Sequence, residues 1–546
     1  MRRAEHVFDA LVIGSGFGGA VCAFRLAEQG RCVLVLERGR PYPPGSFART
    51  PDEFRKAFWD PAAGLHGLFD LWRFRGLDIV CASGLGGGSL IYANVLLKKD
   101  AESFVREDLA AGGREHWPLR RDELEPHYEN VCKMLAPQRY PYKETRKTRA
   151  IEHAAGALGF PVERPELAVL FAADASSEPV PGAPIVSDDL HRRPRCTCRL
   201  CGECDVGCNF GAKNTLDFTY LSAAARAGAE LRTCCEARTI EPLRDGGYRV
   251  GYRQHLSARD GHRDELLDPV EEAERSVLAR RVIVAAGAVG SPRLLLRNRA
   301  ALPGLSPALG TRVSGNGDAL VVLRGARRQL DPSHGPVITA SMRVPEGRSP
   351  SGRGYEIQDG GAPVLADWFW EARELPKLPW RARRFALREL RGMLFGGRDT
   401  NLSGELAGLI TDRSARVMPL LGHGRDVPDG RYVLEGDRLE LDWSVRPSEE
   451  YYRGLEQGFE AIARALGARS VPSIWKRLNR SVTIHPLGGC PMADDPRHGV
   501  VDAYGRVHGW PGLYVADGSV MPGPVGVNPS FTIAAFADRA AERILA

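Results

Sequence analysis

The stretch FDALVIGSGFGGAVCAFRLAEQGRCVLVLERG, residues 8–39, constrains the fold more than any other part of the chain. Residues 8–13 read as a strand, and Gly14, Gly16 and Gly19 form G-x-G-x-x-G. A helix with apolar Val21, Phe24 and Leu26 follows, and then a second strand, CVLVLE, ending at Glu37. Strand, glycine turn, helix and strand in this order make a βαβ unit built to hold a dinucleotide. Gly14 makes the tight turn, Gly16 lets the backbone approach a pyrophosphate, and Gly19 lets helix and strand pack closely. The helix N-terminus then faces the anion. Glu37, about twenty residues beyond the first glycine, is placed to accept from ribose hydroxyls. An acid there disfavours a 2′-phosphate and leaves FAD or NAD.

Three further segments have the same cofactor-facing character. GLGGGSLIYAN, from Gly84 to Asn94, strips side chains from the backbone at Gly86, Gly87 and Gly88. RVIVAAGAVGSPRLLL, residues 281–296, runs a buried strand into a turn at Gly287. LYVAD ends a strand at Asp517 and Gly518, and a Pro/Gly loop leads from there to a helix beginning near Pro529 and Ser530. The candidate cofactor-binding residues are Gly14, Gly16, Gly19, Glu37, Gly84, Gly86, Gly87, Gly88, Ser89, Asn94, Gly287, Asp517 and Gly518, with Ala237 and Asn528 added independently of those features. These pieces lie at both ends and in the middle of the sequence, so the cofactor domain is expected to be discontinuous. The expectation is residues 1–100, 205–298 and 478–546 for that domain, and 101–204 and 299–477 for a substrate domain.

At 546 residues the chain is too long for one ordinary core. Hydrophobic residues at 43% and charged residues at 26% describe a globular protein rather than a disordered one. A net charge of +6, without a concentrated basic tract, gives no footprint for nucleic acid. The basic and then apolar N-terminus runs straight into the glycine fingerprint without a cleavage site, so it reads as a first strand and the expected location is cytoplasmic. Two stretches, 54–76 and 368–395, mix Trp, Phe and Arg with amphipathic spacing. They suit either peripheral contact with lipid headgroups or packing over a substrate cavity.

These segments, in this order, together with HPLGGC and YGRVHGWPGLYVADGSVMPGPVGVNPSFTIAAFADRAAERI, resemble the GMC-type flavoprotein oxidoreductases, and within them the cholesterol oxidases. The similarity spans nearly the whole length. It implies an α/β fold, with a Rossmann-like FAD-binding domain and an α+β substrate domain whose β-sheet lies over the flavin. It also implies FAD rather than NAD, held non-covalently, since the glycine-rich segment has no histidine to tether a flavin. The implied reaction moves a hydride from the carbinol carbon to flavin N5 while a base takes the hydroxyl proton, with oxygen or an electron carrier as final acceptor. By resemblance, His485 is the active-site histidine, and its side-chain type titrates near working pH. Asn528 orients the hydroxyl, and Glu356 in GYEIQDGG occupies the place of a glutamate that isomerises a steroid double bond. The implied substrate is a sterol such as cholesterol or another hydrophobic alcohol. Steroid oxidases often have an asparagine soon after GGGSL, where this chain has Tyr92 and then Asn94.

CTCRLCGECDVGC, residues 196–208, holds five of the twelve cysteines. From Cys198 the spacing through Cys201, Cys204 and Cys208 is that of a ferredoxin cluster loop, although Asn209 replaces the usual proline. An iron–sulfur centre, zinc, packing thiols and a disulfide all remain open. A cluster would favour a dehydrogenase that passes electrons onward. A non-catalytic electron-transfer flavoprotein is a further alternative, disfavoured by the presence of both His485 and Asn528.

Overall fold

The computed structural model describes residues 6–108, 113–174, 176–255, 274–349, 351–362, 416–472 and 480–545. The N-terminal fingerprint folds as strand β1 (Val7–Ile13), helix α1 (Phe17–Ala27) and strand β2 (Val33–Leu36). β1 is an inner strand, parallel to β2 on one side and to Glu274–Val284 on the other. With both neighbours parallel and both faces covered, its residues are an almost continuous apolar run. The seven-stranded sheet runs 230–232, β2, β1, 274–284, 248–254, 235–242, and Leu513–Val515 pairs with the C-terminal end of 274–284. The long strand 274–284 thus serves two partners. Its first half joins an antiparallel arm, and its second half joins the parallel core.

Helix α1 packs its small face, including Ala20 and Ala23, against the C-terminal helix Ser530–Leu545, where Ala534, Ala537 and Ala541 are buried. Small residues on both helices let the backbones approach closely enough for Cys22 Sγ to reach the Ala537 carbonyl at 3.7 Å.

A second sheet of six strands is antiparallel throughout, in the order 469–472, 319–324, 417–424, 355–359, 341–344, 162–163. Alternation along these strands separates two faces. Leu323, Met342, Ile357, Met418 and Leu420 point to the helices Arg146–Leu158 and Glu449–Ala465 and form a core with Ile151, Leu455 and Phe459. Leu320, Pro419 and Leu421 point the other way, into a cavity shared with the first sheet. Strand Ser481–Thr483 adds in parallel to Leu77–Ala82 in a small three-stranded sheet, and in doing so delivers residues 484–486 to that cavity.

Candidate active site

The cavity has a volume of about 550 Å³ and runs from the glycine turn after β1 to the roof formed by the six-stranded sheet. That size is ordinary for a small-molecule or cofactor site. Its dinucleotide end is built by backbone. Gly87 has φ +53°, and a Cβ there would lie 2.6 Å from the Gly16 Cα, so the two glycine loops touch main chain to main chain. Gly16 and Gly88 open onto free space, with nothing within 4 Å of a Cβ position. Bare backbone facing an open channel is what an incoming pyrophosphate requires.

Glu37 closes this end. Its Oε2 accepts from Ser15 N at 3.0 Å and Ser15 Oγ at 2.6 Å, and its Oε1 accepts from Gly39 N at 2.8 Å. Burial pushes its carboxyl up, and these three donors oppose the shift. Asp517 is held in the same way, by Gly287 N, Ser291 Oγ and Ser519 N. It too is raised by burial. Ala237, Gly287 and Gly518 also line the cavity.

At the far end stand His485 and Asn528, both on the wall. His485 Nδ1 lies 2.9 Å from Asp318 Oδ1. With the carboxylate as acceptor, Nδ1 carries the proton and Nε2 is left as the basic nitrogen. Asp318 Oδ2 also accepts from Ile484 N at 3.0 Å and His485 N at 3.2 Å, so one carboxylate fixes the backbone and the ring together. Asn528 Oδ1 accepts from Gln358 Nε2 at 2.8 Å, which sets the amide's orientation from the roof.

A short segment before strand 319–324 positions both of these loops. Asn316 donates to Val527 O at 3.0 Å and accepts from Gly526 N at 2.9 Å, holding the loop that ends in Asn528. Asp318 holds the loop that ends in His485. Asp426 in turn anchors the segment through Ser314 Oγ at 2.5 Å and Gly315 N at 2.8 Å. Burial lifts the Asp426 carboxyl to about 7.

Two family models match, "FAD dependent oxidoreductase" over residues 9–437 and "GMC oxidoreductase" over residues 440–537. A cholesterol oxidase of Mycobacterium tuberculosis is 31% identical over 98% of this chain and 90% of its own. The chain belongs to the GMC family of FAD-dependent alcohol oxidoreductases. A cholesterol oxidase of Acinetobacter baumannii is 29% identical over 98% of this GMC oxidoreductase and 94% of its own length. In fold it also resembles a fungal aryl-alcohol oxidase, with TM-score 0.58 and 15% identity over 100% of this chain and 99% of the other.

The α/β fold is as the sequence implied, and the structure gathers Gly14, Gly16, Glu37, Gly87, Gly88, Ala237, Gly287, Asp517, Gly518, His485 and Asn528 around one cavity. Other expected residues stand behind the wall. Gly19 packs helix α1 against the Gly14 carbonyl, and Gly84 packs under Tyr42 and Leu90. Gly86 N donates to Ser15 Oγ at 3.0 Å, and Ser89 Oγ donates to Gly86 O at 2.7 Å, so both shape the loop rather than face the cavity. Asn94 is buried away from the cavity in a left-handed conformation, and neither side-chain atom finds a partner. Tyr92 is on the wall in its stead. Glu356 is buried on the cavity-side face of the roof, beside the lining residues rather than among them, accepting from Ser341 Oγ at 2.9 Å. Asp318, Asn316 and Gln358 were not singled out by sequence. No motif surrounds them, and only Gln358, two residues from Glu356 and thus on the same strand face, carried a usable signal.

The cysteine loop gives the metal-binding reading no support. Cys198, Cys201, Cys204 and Cys208 do surround one small cavity of about 20 Å³. Among the described residues, however, no group of three or more His, Cys, Asp or Glu side chains is placed to hold a metal. Burial raises the Cys198 thiol well above its ordinary range and Cys201 to about 12. No disulfide forms; all twelve cysteines are free.

Residues 54–76 fold as the end of helix Pro51–Arg55, a 3-10 turn at Pro61–Ala63 and short strands, including Phe69–Arg73. Phe69 and Trp72 turn to the cavity and Leu71 turns outward. Residues 368–395 lie outside the described residues. Among the described residues no helix is long and apolar enough to cross a membrane.

Proposed function

We propose that this enzyme oxidises the 3β-hydroxyl of a sterol or closely related hydrophobic alcohol to the ketone, with oxygen as acceptor. The single observation that carries the reading is the pairing of two oriented polar groups, His485 and Asn528, beneath an otherwise apolar stretch of wall made by Leu320, Ile338, Pro419 and Leu421. A hydroxyl is gripped there and the rest of the substrate is covered by hydrocarbon. The names of the two bacterial relatives, both cholesterol oxidases, support the sterol.

Residues 1–100, 205–298 and 478–546 form the FAD-binding unit in this reading, and 101–204 and 299–477 the substrate unit. FAD, held non-covalently by the glycine loops, Glu37 and Asp517, supplies the two-electron acceptor. His485 Nε2 takes the hydroxyl proton, Asp318 stabilises the imidazolium that results, and Asn528 aims the carbinol carbon. Both side chains are pre-oriented by buried partners, so little reorganisation is needed at the moment of reaction. Glu356 is assigned the proton transfer of an accompanying double-bond shift. In this role Glu356→Gln accumulates the unconjugated ketone.

The test is an anaerobic titration of purified holoenzyme with cholesterol in detergent micelles, following oxidised-flavin absorbance. Bleaching, with rapid return of colour on admitting air, is the expected result. Absence of bleaching by cholesterol removes the sterol, and slow recolouring in air removes oxygen as acceptor.

A further inference from the structure

His423 is a polar side chain beside the site that the mechanism above leaves unused. It lies on strand Val417–Gly424, directly across from Glu356 in antiparallel register. Its side chain is wholly buried, and neither ring nitrogen has a hydrogen-bond partner. A neutral imidazole always carries one N–H, so at least one donor is left without a protein partner, an arrangement native cores normally avoid.

Its two neighbours give that arrangement a use. The ring stands edge to face with His485, centroids 6.0 Å apart at 89°. Its Nε2 lies 3.6 Å from Glu356 Oε2, just beyond hydrogen-bond length. Glu356 also accepts from Ser341 Oγ, and Ser341 sits opposite Glu163 in the edge pair of the same sheet. Glu163 is exposed at that edge. The order His485, His423, Glu356, Ser341, Glu163 therefore leads from the cavity to the surface across neighbouring strands.

We propose that His423 relays the substrate's hydroxyl proton from His485 to Glu356 and so to the edge of the sheet. This rests on the alcohol-oxidation reading. Each alcohol oxidised to a ketone gives up a hydride with its electron pair and leaves one proton on His485 Nε2. A bulky apolar substrate closes the cavity above it, and Nδ1 is pinned to Asp318, so His485 cannot pass the proton through its own ring. His423 has both nitrogens unpinned. One accepts the incoming proton while the other releases its own to Glu356, leaving the imidazole neutral and in the opposite tautomer; rotation of the ring resets it. Onward transfer to Glu163 or water returns Glu356 to the carboxylate. Burial and the Glu356 charge both hold the Glu163 carboxyl above its ordinary range, consistent with communication between the two acids.

Two measurements on the FAD-loaded enzyme test this. In the first, flavin bleaching by cholesterol micelles and the colour of a pH indicator in weak buffer are followed together under anaerobic stopped flow. Wild type releases its proton with the bleaching phase, whereas His423→Gln and His423→Phe release it about tenfold or more later than they bleach, a modest share of what acid–base groups contribute. Proton release that stays synchronous with bleaching in both variants overturns the relay. In the second, the ring nitrogens of histidines labelled with nitrogen-15 are observed by NMR without substrate. His423 is expected to exchange between tautomers and to change its populations in Glu356→Gln. A single fixed tautomer, unmoved by that substitution, overturns the relay. Should cholesterol fail to bleach the flavin, the sterol reading falls, and the nitrogen measurement still decides the relay.

Discussion

Replacing Asp318 by asparagine removes one charge at nearly constant shape and tests how the site makes its base. The amide keeps one oxygen for the backbone N–H groups of Ile484 and His485, which now reach Oδ2 at 3.0 and 3.2 Å, so the loop is expected to keep its path. What changes is the atom opposite His485 Nδ1, now 2.9 Å from a carboxylate oxygen. An amide NH2 in that place donates to Nδ1, drives the proton to Nε2 and removes the base. If instead the amide oxygen faces the ring, the imidazolium loses its counter-charge. A hydrogen bond to a charged group contributes about 1.5–3 kcal/mol. Charged wholly to the barrier, at about 1.4 kcal/mol per tenfold, that is about 10- to 150-fold in the rate of flavin reduction. The assay is anaerobic stopped-flow bleaching at saturating alcohol, with FAD content and melting temperature measured on the same preparation. KM and FAD content should be unchanged while the limiting rate falls. Wild-type bleaching in a fully loaded Asp318→Asn enzyme would refute the view that this carboxylate sets the histidine's tautomer.

Other substitutions separate packing from ligand contact. Gly16→Ala has open space for its methyl and should fold normally but bind FAD more weakly, whereas Gly18→Ala would put a Cβ 1.5 Å from the Ala516 carbonyl and should fail to fold. Thermal melts of apoprotein, paired with FAD titration, tell them apart. Gln358→Leu removes the 2.8 Å bond that orients Asn528 and should slow flavin reduction by about tenfold at unchanged stability, by the loss of one hydrogen bond of ordinary strength. Asp426 gives a pH signature. Burial raises its carboxyl from 3.8 to about 7, so its proton is held in the folded state. The stability it contributes is present in full below pH 3.8 and lost as pH rises through about 7. Denaturation from pH 5 to 8 should show wild type falling relative to Asp426→Asn, and parallel curves would count against the assignment.

The parts of this protein that were legible in its sequence are those in which neighbours in space are neighbours in the chain. β1, Gly14, Gly16, α1 and Glu37 form one local unit, and its period and spacing announce it. His485 and Asn528 were legible because each sits in a short distinctive loop, HPLGGC or GVNPSF. Asp318 and Asn316 were not, since their roles exist only once strand 319–324 has brought residues 314–318 beside loops some 165 and 210 positions away. His423 and Gln358 share that difficulty, because which side chains face the cavity depends on strand register. The cysteine spacing spoke loudly for a ligand set, yet spacing along a loop does not determine where thiols point once the loop is pinned. Here Arg49 bonds Glu203 and the Gly207 carbonyl, and Lys213 bonds the Cys204 carbonyl, which fixes the loop from outside.

The meeting of the two chain ends has a consequence for biosynthesis. β1 is made some five hundred residues before its partners are complete, since α1 has its partner helix, through Cys22 to Ala537 and Arg25 to Asp538, only when residues 530–545 arrive. Asp517 and Asn528 arrive equally late. A nascent chain on the ribosome therefore carries the glycine turn for most of its synthesis without the walls that complete the nucleotide cleft. Contacts of such long sequence separation form slowly, and the exposed parallel strands are the kind that invite aggregation while they wait. Cofactor loading is thus expected only after residues 517–545 have been made, and recovery of active enzyme on expression should depend more on chaperone supply than on the supply of flavin.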